Sequence, residues 1–266
     1  MKKRTSVFDE FKKHKLTYIV AVILRLVLVA SIVLAALRSD WETIFYSALA
    51  LLLCTLPAVV ERKFPVVFPV GLEVTILLFI FAANFLGELR SFYLLVPHWD
   101  TMLHTINGFI SAAVGFSLLD LINRNNRSKF SLSPLYLCIV SVCFSTTIGV
   151  VWEFFEYFMD CFVHTDMQKD TIISGIYSVM LNETGVNKPV SIPEIYDMAI
   201  NGEMLPVTGY LDIGLHDTMK DLIVTFIGAS LFNALGYIYL ASRGKRHKLL
   251  ELFIPQADTE ENSATH

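Results

Sequence analysis

Three short stretches of the chain carry ionisable residues at helical spacing. Asp100 and His104 are four apart, Glu153, Glu156 and Asp160 are three and four apart, and Asp217 and Asp221 are four apart. Residues three or four apart stack on one helix face, so each set forms a polar stripe. Two kinds of chemistry suit such stripes. Crowded carboxylates do not all ionise cheaply, and one kept protonated serves as a general acid or base. On this reading Asp100, Glu153 and Glu156 are the candidate catalytic groups, with Glu153, the most deeply placed, as proton carrier. An imidazole beside several carboxylates also suits a divalent metal such as Mn²⁺, Mg²⁺ or Zn²⁺. For that role His104, Asp217 and Asp221 are the candidate ligands, with Glu88 and Asp160 at the rim.

Each feature has a plainer reading. An Asp near a helix N-terminus, as at Asp100 and Asp217, is often a cap or a dipole partner. His98 and His216 read as solvated residues, and Trp41, Trp99 and Trp152 as interface anchors. The plain alternative for the whole set is a structural polar network that ties helix ends together. Against it stands the rule that ionisable groups at membrane depth are functional by default.

The elements that must position these residues follow from composition. The chain has 266 residues, 54% hydrophobic and 17% charged, against roughly a quarter charged in ordinary globular chains. Its charges are clustered between long apolar runs. That balance excludes a disordered chain, a secreted disulfide scaffold and a nucleic-acid binder, and it indicates a polytopic membrane protein surrounded by lipid. The net charge of −4 decides little. Cys54, Cys138, Cys143 and Cys161 lack metal-site spacing and read as packing residues without a disulfide framework.

Crossing a hydrocarbon core takes about 20 apolar residues as helix. Six runs qualify: 16–37, 41–60, 66–86, 101–122, 135–159 and 218–241. In lipid each must satisfy its own backbone amides, so the expected fold is all-α, a bundle of six transmembrane helices. The organisation expected is a basic N-terminus (1–15), a membrane domain (16–241) and a tail (242–266). The first run is a retained helix and not a signal peptide, because its apolar part is too long and no small-residue cleavage site follows. Lys and Arg concentrate before the first run, at Arg62 and Lys63, at Arg124, Arg127 and Lys129, and in the tail at Arg243, Lys245, Arg246 and Lys248. The opposite connections hold only Arg38, Arg90, Lys169 and Lys188. The positive-inside rule then puts both termini in the cytoplasm. It also puts every polar stripe above at the outer ends of its helices, so Asp100, His104, Glu153, Glu156, Asp217 and Asp221 are expected to line one outward-facing pocket.

Two further expectations concern packing. Arg25 and Glu73 lie within the first and third runs and read as a structural ion pair, the alternative being a relay for protons or ions. The connection from Asp160 to His216 is too long to be structureless. Ile172, Ile173, Ile176, Tyr177, Val179 and Met180 read as a short amphipathic helix, and Ser191-Ile-Pro-Glu194 as a capping box opening another. The connection is thus a partly helical outer cap, or a lid. The polar end of the tail, 259–266, reads as disordered.

The stretches Phe85-Leu-Gly-Glu-Leu89, His98-Trp-Asp-Thr-Met-Leu-His104 and Trp152-Glu-Phe-Phe-Glu156 form a pattern with Asp166-Met-Gln-Lys-Asp-Thr171 and 212–222. With Ile227-Gly-Ala229 following, the chain resembles the YjdF-like bacterial membrane-spanning proteins, a family of uncharacterised function. The resemblance covers about Glu88 to Ala229. Thr225 departs from the Asn or Asp that the pattern implies. A more distant likeness is to the VanZ-like proteins. Neither resemblance implies a reaction.

Three readings remain. One is an intramembrane enzyme acting at the outer leaflet of the bacterial plasma membrane on a lipid-linked or cell-envelope substrate. Another is a cation or small-solute transporter, and the last a non-catalytic membrane protein that binds a partner through its cap. A one-sided polar cluster suits surface chemistry better than passage, so the enzyme leads. The topology on which this rests is testable in intact cells, after the native cysteines are replaced. A cysteine placed in 160–216 should react with a membrane-impermeant thiol reagent, and one in 123–129 should not. Reversed labelling would overturn the orientation.

Overall fold

The computed structural model describes residues 15–63, 66–124, 132–241, 253 and 256–257. Its helices are α1 (Lys15–Arg38), α2 (Trp41–Leu53), α3 (Leu56–Lys63), α4 (Val70–Phe81), α5 (Phe92–Leu95), α6 (Trp99–Arg124), α7 (Pro134–Phe158) and α8 (Leu215–Ala241). Its strands are β1 (Val66–Val67), β2 (Thr171–Ile173), β3 (Ile176–Ser178), β4 (Val190–Ile192), β5 (Ala199–Ile200), β6 (Glu203–Met204), β7 (Tyr210–Asp212) and β8 (Gln256–Ala257). Six helical segments are long and apolar enough to cross a membrane: α1, α2 with α3, α4 with the π-helical turns Ala82–Leu89 that continue it, α6, α7 with the π-helical turn Met159–Val163, and α8. The bundle expected from the sequence is present. The basic residues before Lys15, Arg127, Lys129, the tail's Arg243, Lys245, Arg246 and Lys248, and the polar end of the tail lie outside the described residues.

The chain divides into two compact units, Met1–Gly149 with Val224–His266, and Val150–Ile223. In the first, one cluster of buried apolar residues joins α1, α2 and α4 through Leu24, Leu28, Ala50, Leu77 and Ile80. A second forms around α6, where Ala112, Ala113 and Phe116 meet Leu72, Leu137 and Phe232. Small residues make the second cluster tight. A Cβ on Gly108 would lie 2.1 Å from the Thr225 carbonyl oxygen, and one on Gly228 would lie 2.0 Å from that of Thr105. The backbones of α6 and α8 therefore touch. Lipid provides no hydrophobic drive between helices, so close backbone approach and interhelical hydrogen bonds must hold them. The hydroxyls of Ser141 and Ser145 on α7 donate to the Ala112 and Gly108 carbonyls of α6, each at 2.8 Å. Thr225 donates to the His104 carbonyl at 3.3 Å.

Local chemistry sets the helix ends in this unit. Asp40 caps α2, accepting from the Thr43 amide at 3.1 Å and its hydroxyl at 2.7 Å. Those bonds hold the Asp40 carboxyl below its usual range. The second span is interrupted at Cys54–Thr55, just before Pro57, whose ring and missing N–H break the helical ladder. Arg25 donates to the Cys54 carbonyl at 3.4 Å. Helix α4 begins at Val70 after Pro69, so Glu73 falls in its first turn. Arg25 lies ten residues into α1, about 15 Å along it, whereas Glu73 lies about 4.5 Å along α4. The two are staggered in depth, and no Arg25–Glu73 bridge of salt-bridge length exists among the described residues. Glu73 feels the like charge of Glu61 and, less strongly, the Arg25 charge.

Part of the tail returns to this unit. Strand β8 pairs antiparallel with β1, Val66 opposite Ala257 and Val67 opposite Gln256. Phe253 packs against the second cluster, its ring 5.7 Å from that of Phe109 on α6. Burying such a ring contributes about 1.5–3 kcal/mol.

The second unit corrects the sequence reading of the 160–216 connection. In place of two short helices there are antiparallel strand pairs: β2 with β7, β3 with β4 and β5 with β6. Helix within the connection amounts to the π turn that extends α7 and a 3₁₀ turn at Val179–Leu181. Thr171, Ile172 and Ile173 are β-branched, and a partner strand 40 residues away was invisible to local periodicity. At Ser191-Ile-Pro-Glu194 the proline forces Ile192 to be extended, so the segment pairs as β4 and opens no helix.

The α6–α8 contact makes a quantitative prediction. Gly108→Ala or Gly228→Ala should each cost about 1–3 kcal/mol through overpacking. Ser141→Ala, which loses one interhelical hydrogen bond, should cost about 0.6 kcal/mol. Unfolding in mixed detergent micelles measures all three, and the reverse order would contradict the contact.

Candidate functional site

The second unit, Val150–Ile223, contains the C-terminal part of α7, the first turns of α8 and the connection between them. Glu153 and Glu156, on α7, are 4% and 6% exposed, and Asp217 and Asp221, on α8, are 5% and 1% exposed. Four carboxylates are thus almost wholly removed from water. Glu156 accepts from the Trp152 indole at 2.7 Å, which gives that tryptophan a role beyond anchoring. Asp217 accepts from the Lys169 amide at 2.8 Å and from the Lys220 ammonium at 3.0 Å. The same ammonium lies 3.8 Å from Asp221.

Asp160 accepts from the amides of Met167 at 2.7 Å and Gln168 at 2.8 Å, and from the Thr165 hydroxyl at 2.8 Å. The Gln168 side chain donates to the Thr218 hydroxyl at 2.5 Å. Residues 165–169 therefore form a strap, held at one end by Asp160 beyond α7 and at the other by Asp217 and Thr218 on α8. Asp212 accepts from the His216 amide at 2.8 Å and closes the start of α8. The strap continues into Asp170, whose carboxyl is pushed above its usual range by burial and then by the negative charges of Asp166, Asp160 and Asp212, with Lys169 opposing.

In the first unit Asp100 lies in the first turn of α6, its carboxylate 3.5 Å from His104 Nε2. His104 is 7% exposed. Its carbonyl is the acceptor for Thr225, so the residue that departs from the family pattern serves as a tie between helices. Glu88 lies in the π-helical turns that end the third span. Such turns are rare and recur at functional sites.

Within its own unit, each half of the candidate set is brought together: Asp100 with His104, and Asp160, Asp217 and Asp221 through the strap and Lys220. As metal donors the two halves differ. Asp100 and His104 offer an imidazole and a carboxylate 3.5 Å apart, donors of a kind that transition-metal sites use. Asp217 and Asp221 already share a lysine ammonium, which a metal would have to displace. Lys220, Gln168 and Thr218 were not singled out in the sequence, although Lys220 sits between the two aspartates. Asp120 was also passed over. It is a carboxylate 6% exposed within α6, and a lone charge in an apolar run was the signal that could have found it. The four cysteines are free, as expected, with Cys54 and Cys138 buried and Cys143 and Cys161 exposed.

Asp170 provides a test of the strap's electrostatics. A raised carboxyl pKa means that the folded protein binds the proton more tightly than the unfolded chain. Its contribution then turns unfavourable as pH rises past the ordinary aspartate range. Asp170→Asn should raise the thermal midpoint slightly at pH 7 and leave it unchanged near pH 4. A rise of the same size at both pH values would contradict the like-charge account.

No curated protein and no solved structure matches the chain. The family model described as predicted membrane protein (DUF2238) matches residues 18–242, which take in nearly all of the six spans and the whole connection between α7 and α8. The chain therefore belongs to the DUF2238 family of predicted membrane proteins, the YjdF-like family that its motifs resemble.

Proposed function

We propose that this is a multi-pass protein of the bacterial plasma membrane, with both termini cytoplasmic, that performs acid–base chemistry at the outer leaflet on a lipid-linked or cell-envelope substrate. The observation that carries the reading is the burial of Glu153, Glu156, Asp217 and Asp221 in one unit. Removing carboxylates from water is costly, and the cost falls when protons or a cation are shared among them. Groups in that state are suited to give and take protons. Glu153 is the proposed proton carrier, and Glu156, oriented by Trp152, supports it. Lys220, held by Asp217 and Asp221, is suited to receive an anionic or polar head group. Asp100 and His104 are a second proton-exchanging pair and the preferred donors for a divalent metal, if the reaction uses one.

A cation transporter is the second reading. Two observations favour it: Asp120 buried in α6, and the interruption of the second span at Cys54–Thr55, where Arg25 meets the Cys54 carbonyl. Interrupted helices with nearby charges recur in transporters.

Lipid extraction and mass spectrometry of purified protein test the enzyme reading. Glu153→Gln should fold and express as the wild type does, and should retain a lipid-linked molecule at tenfold or higher occupancy, because chemistry stalls after binding. Equal occupancy in the two proteins would remove Glu153 from the chemistry. Metal analysis of the same samples tests the donor pair. His104→Ala should lower divalent metal content at least several-fold, and a metal-free wild type would end the metal reading.

A further inference from the structure

The first unit buries two kinds of polar side chain among α6, α7 and α8. Ser141, Ser145 and Thr225 donate to carbonyls of a neighbouring helix and so tie helices together. The bonds of the second kind stay within one helix. Ser111 donates to Asn107 at 3.4 Å, Ser117 to the Ala113 carbonyl at 2.6 Å, and the Asn233 amide to the Ala229 carbonyl at 2.9 Å. Ser111, Ser117 and Asn233 are buried, yet these bonds join no two helices. A polar group at membrane depth is costly, so one that ties nothing needs another reason to be there.

Asn233 is the sharpest case. Its Oδ1 is buried and meets no hydrogen-bond donor among the described residues. The Nδ2 bond to Ala229 fixes which end of the amide points away from the helix backbone. A buried acceptor so placed calls for a mobile donor, such as an internal water. Gly228 lies against Thr105 and Gly236 against the Phe116 ring, so Asn233 falls between Ser111 and Ser117 in depth. A hydroxyl that donates keeps lone pairs with which to accept from the same water. Both ends of the series are ionisable: Asp100 with His104 in the first turns of α6, and buried Asp120 near its last turn. His104 and Asp120 lie about 24 Å apart along the helix, most of a hydrocarbon core of about 30 Å.

We propose that the interior of α6, α7 and α8 in this unit is a proton path, running from Asp100 and His104 past Ser111, Asn233 and Ser117 to Asp120, with internal water bridging the gaps. It rests on the transporter reading above and names its cargo. Each proton taken up at one end is matched by one released at the other, so no co-reactant is needed.

The test uses the full chain in liposomes that enclose a pH-sensitive dye, with a potassium diffusion potential as driving force. Wild type should move protons at least tenfold faster than protein-free liposomes. Asp120→Asn and Asn233→Leu should each abolish nearly all of that excess, and Asp120→Glu should restore much of it. Ser117→Ala loses one bond within a helix and should fold normally, yet slow the flux at least threefold, so it decides the matter if the other variants misfold. Ser141→Ala, which removes a helix tie, should stay within twofold of wild type. An unchanged rate in Ser117→Ala, or equal slowing in Ser141→Ala, would overturn the path. Sodium flux without proton flux would also overturn it and keep the transporter reading, whereas no flux of either ion would remove both.

Discussion

Direct contact between the backbones of α6 and α8 is the constraint from which the first unit follows. With no side chain at Gly108 or Gly228, each helix lies against a carbonyl of the other. At that distance a hydroxyl can bridge the gap, as Thr225 does to the His104 carbonyl. Helix α7 is drawn in by the same means, through Ser141 and Ser145. Hydroxyls and glycines thus replace the large apolar side chains that would drive association in water. The result for His104 is a fixed backbone, with its ring 3.5 Å from the Asp100 carboxylate.

In the second unit the organising problem is charge. Carboxylates buried to a few per cent exposure need donors: the Trp152 indole serves Glu156, and the Lys220 ammonium and the Lys169 amide of the strap serve Asp217. The strap makes Asp160 and Asp217 structural as well as polar. Replacing either would loosen the segment 165–169.

The six spans were legible because lipid imposes a demand that a single segment must meet alone, and long apolar runs reveal it. The polar stripes were legible for the same reason, since helical spacing is local. What escaped notice depended on residues far apart in the chain. The strands of the 160–216 connection need partners up to 41 residues away, and the pairing of β1 with β8 joins segments about 190 residues apart. The stagger between Arg25 and Glu73 turned on where α4 begins, and Pro69 moves that point four residues beyond the start of the apolar run. Thr225 shows the opposite case. A departure from a motif is a helix tie once its neighbour is known.

The connection built from β2 to β7 carries eight acidic side chains against two lysines over residues 160–216. A layer of that sign sets up a potential that repels dissolved anions and enriches cations and protons near its surface. Anything negatively charged would then diffuse towards it slowly from solution, and more slowly still at low ionic strength, where screening is weak. A molecule anchored in the bilayer does not face that approach, because it travels sideways along the helices. Charge of this kind on the connection would therefore favour arrival along a membrane over arrival from the water.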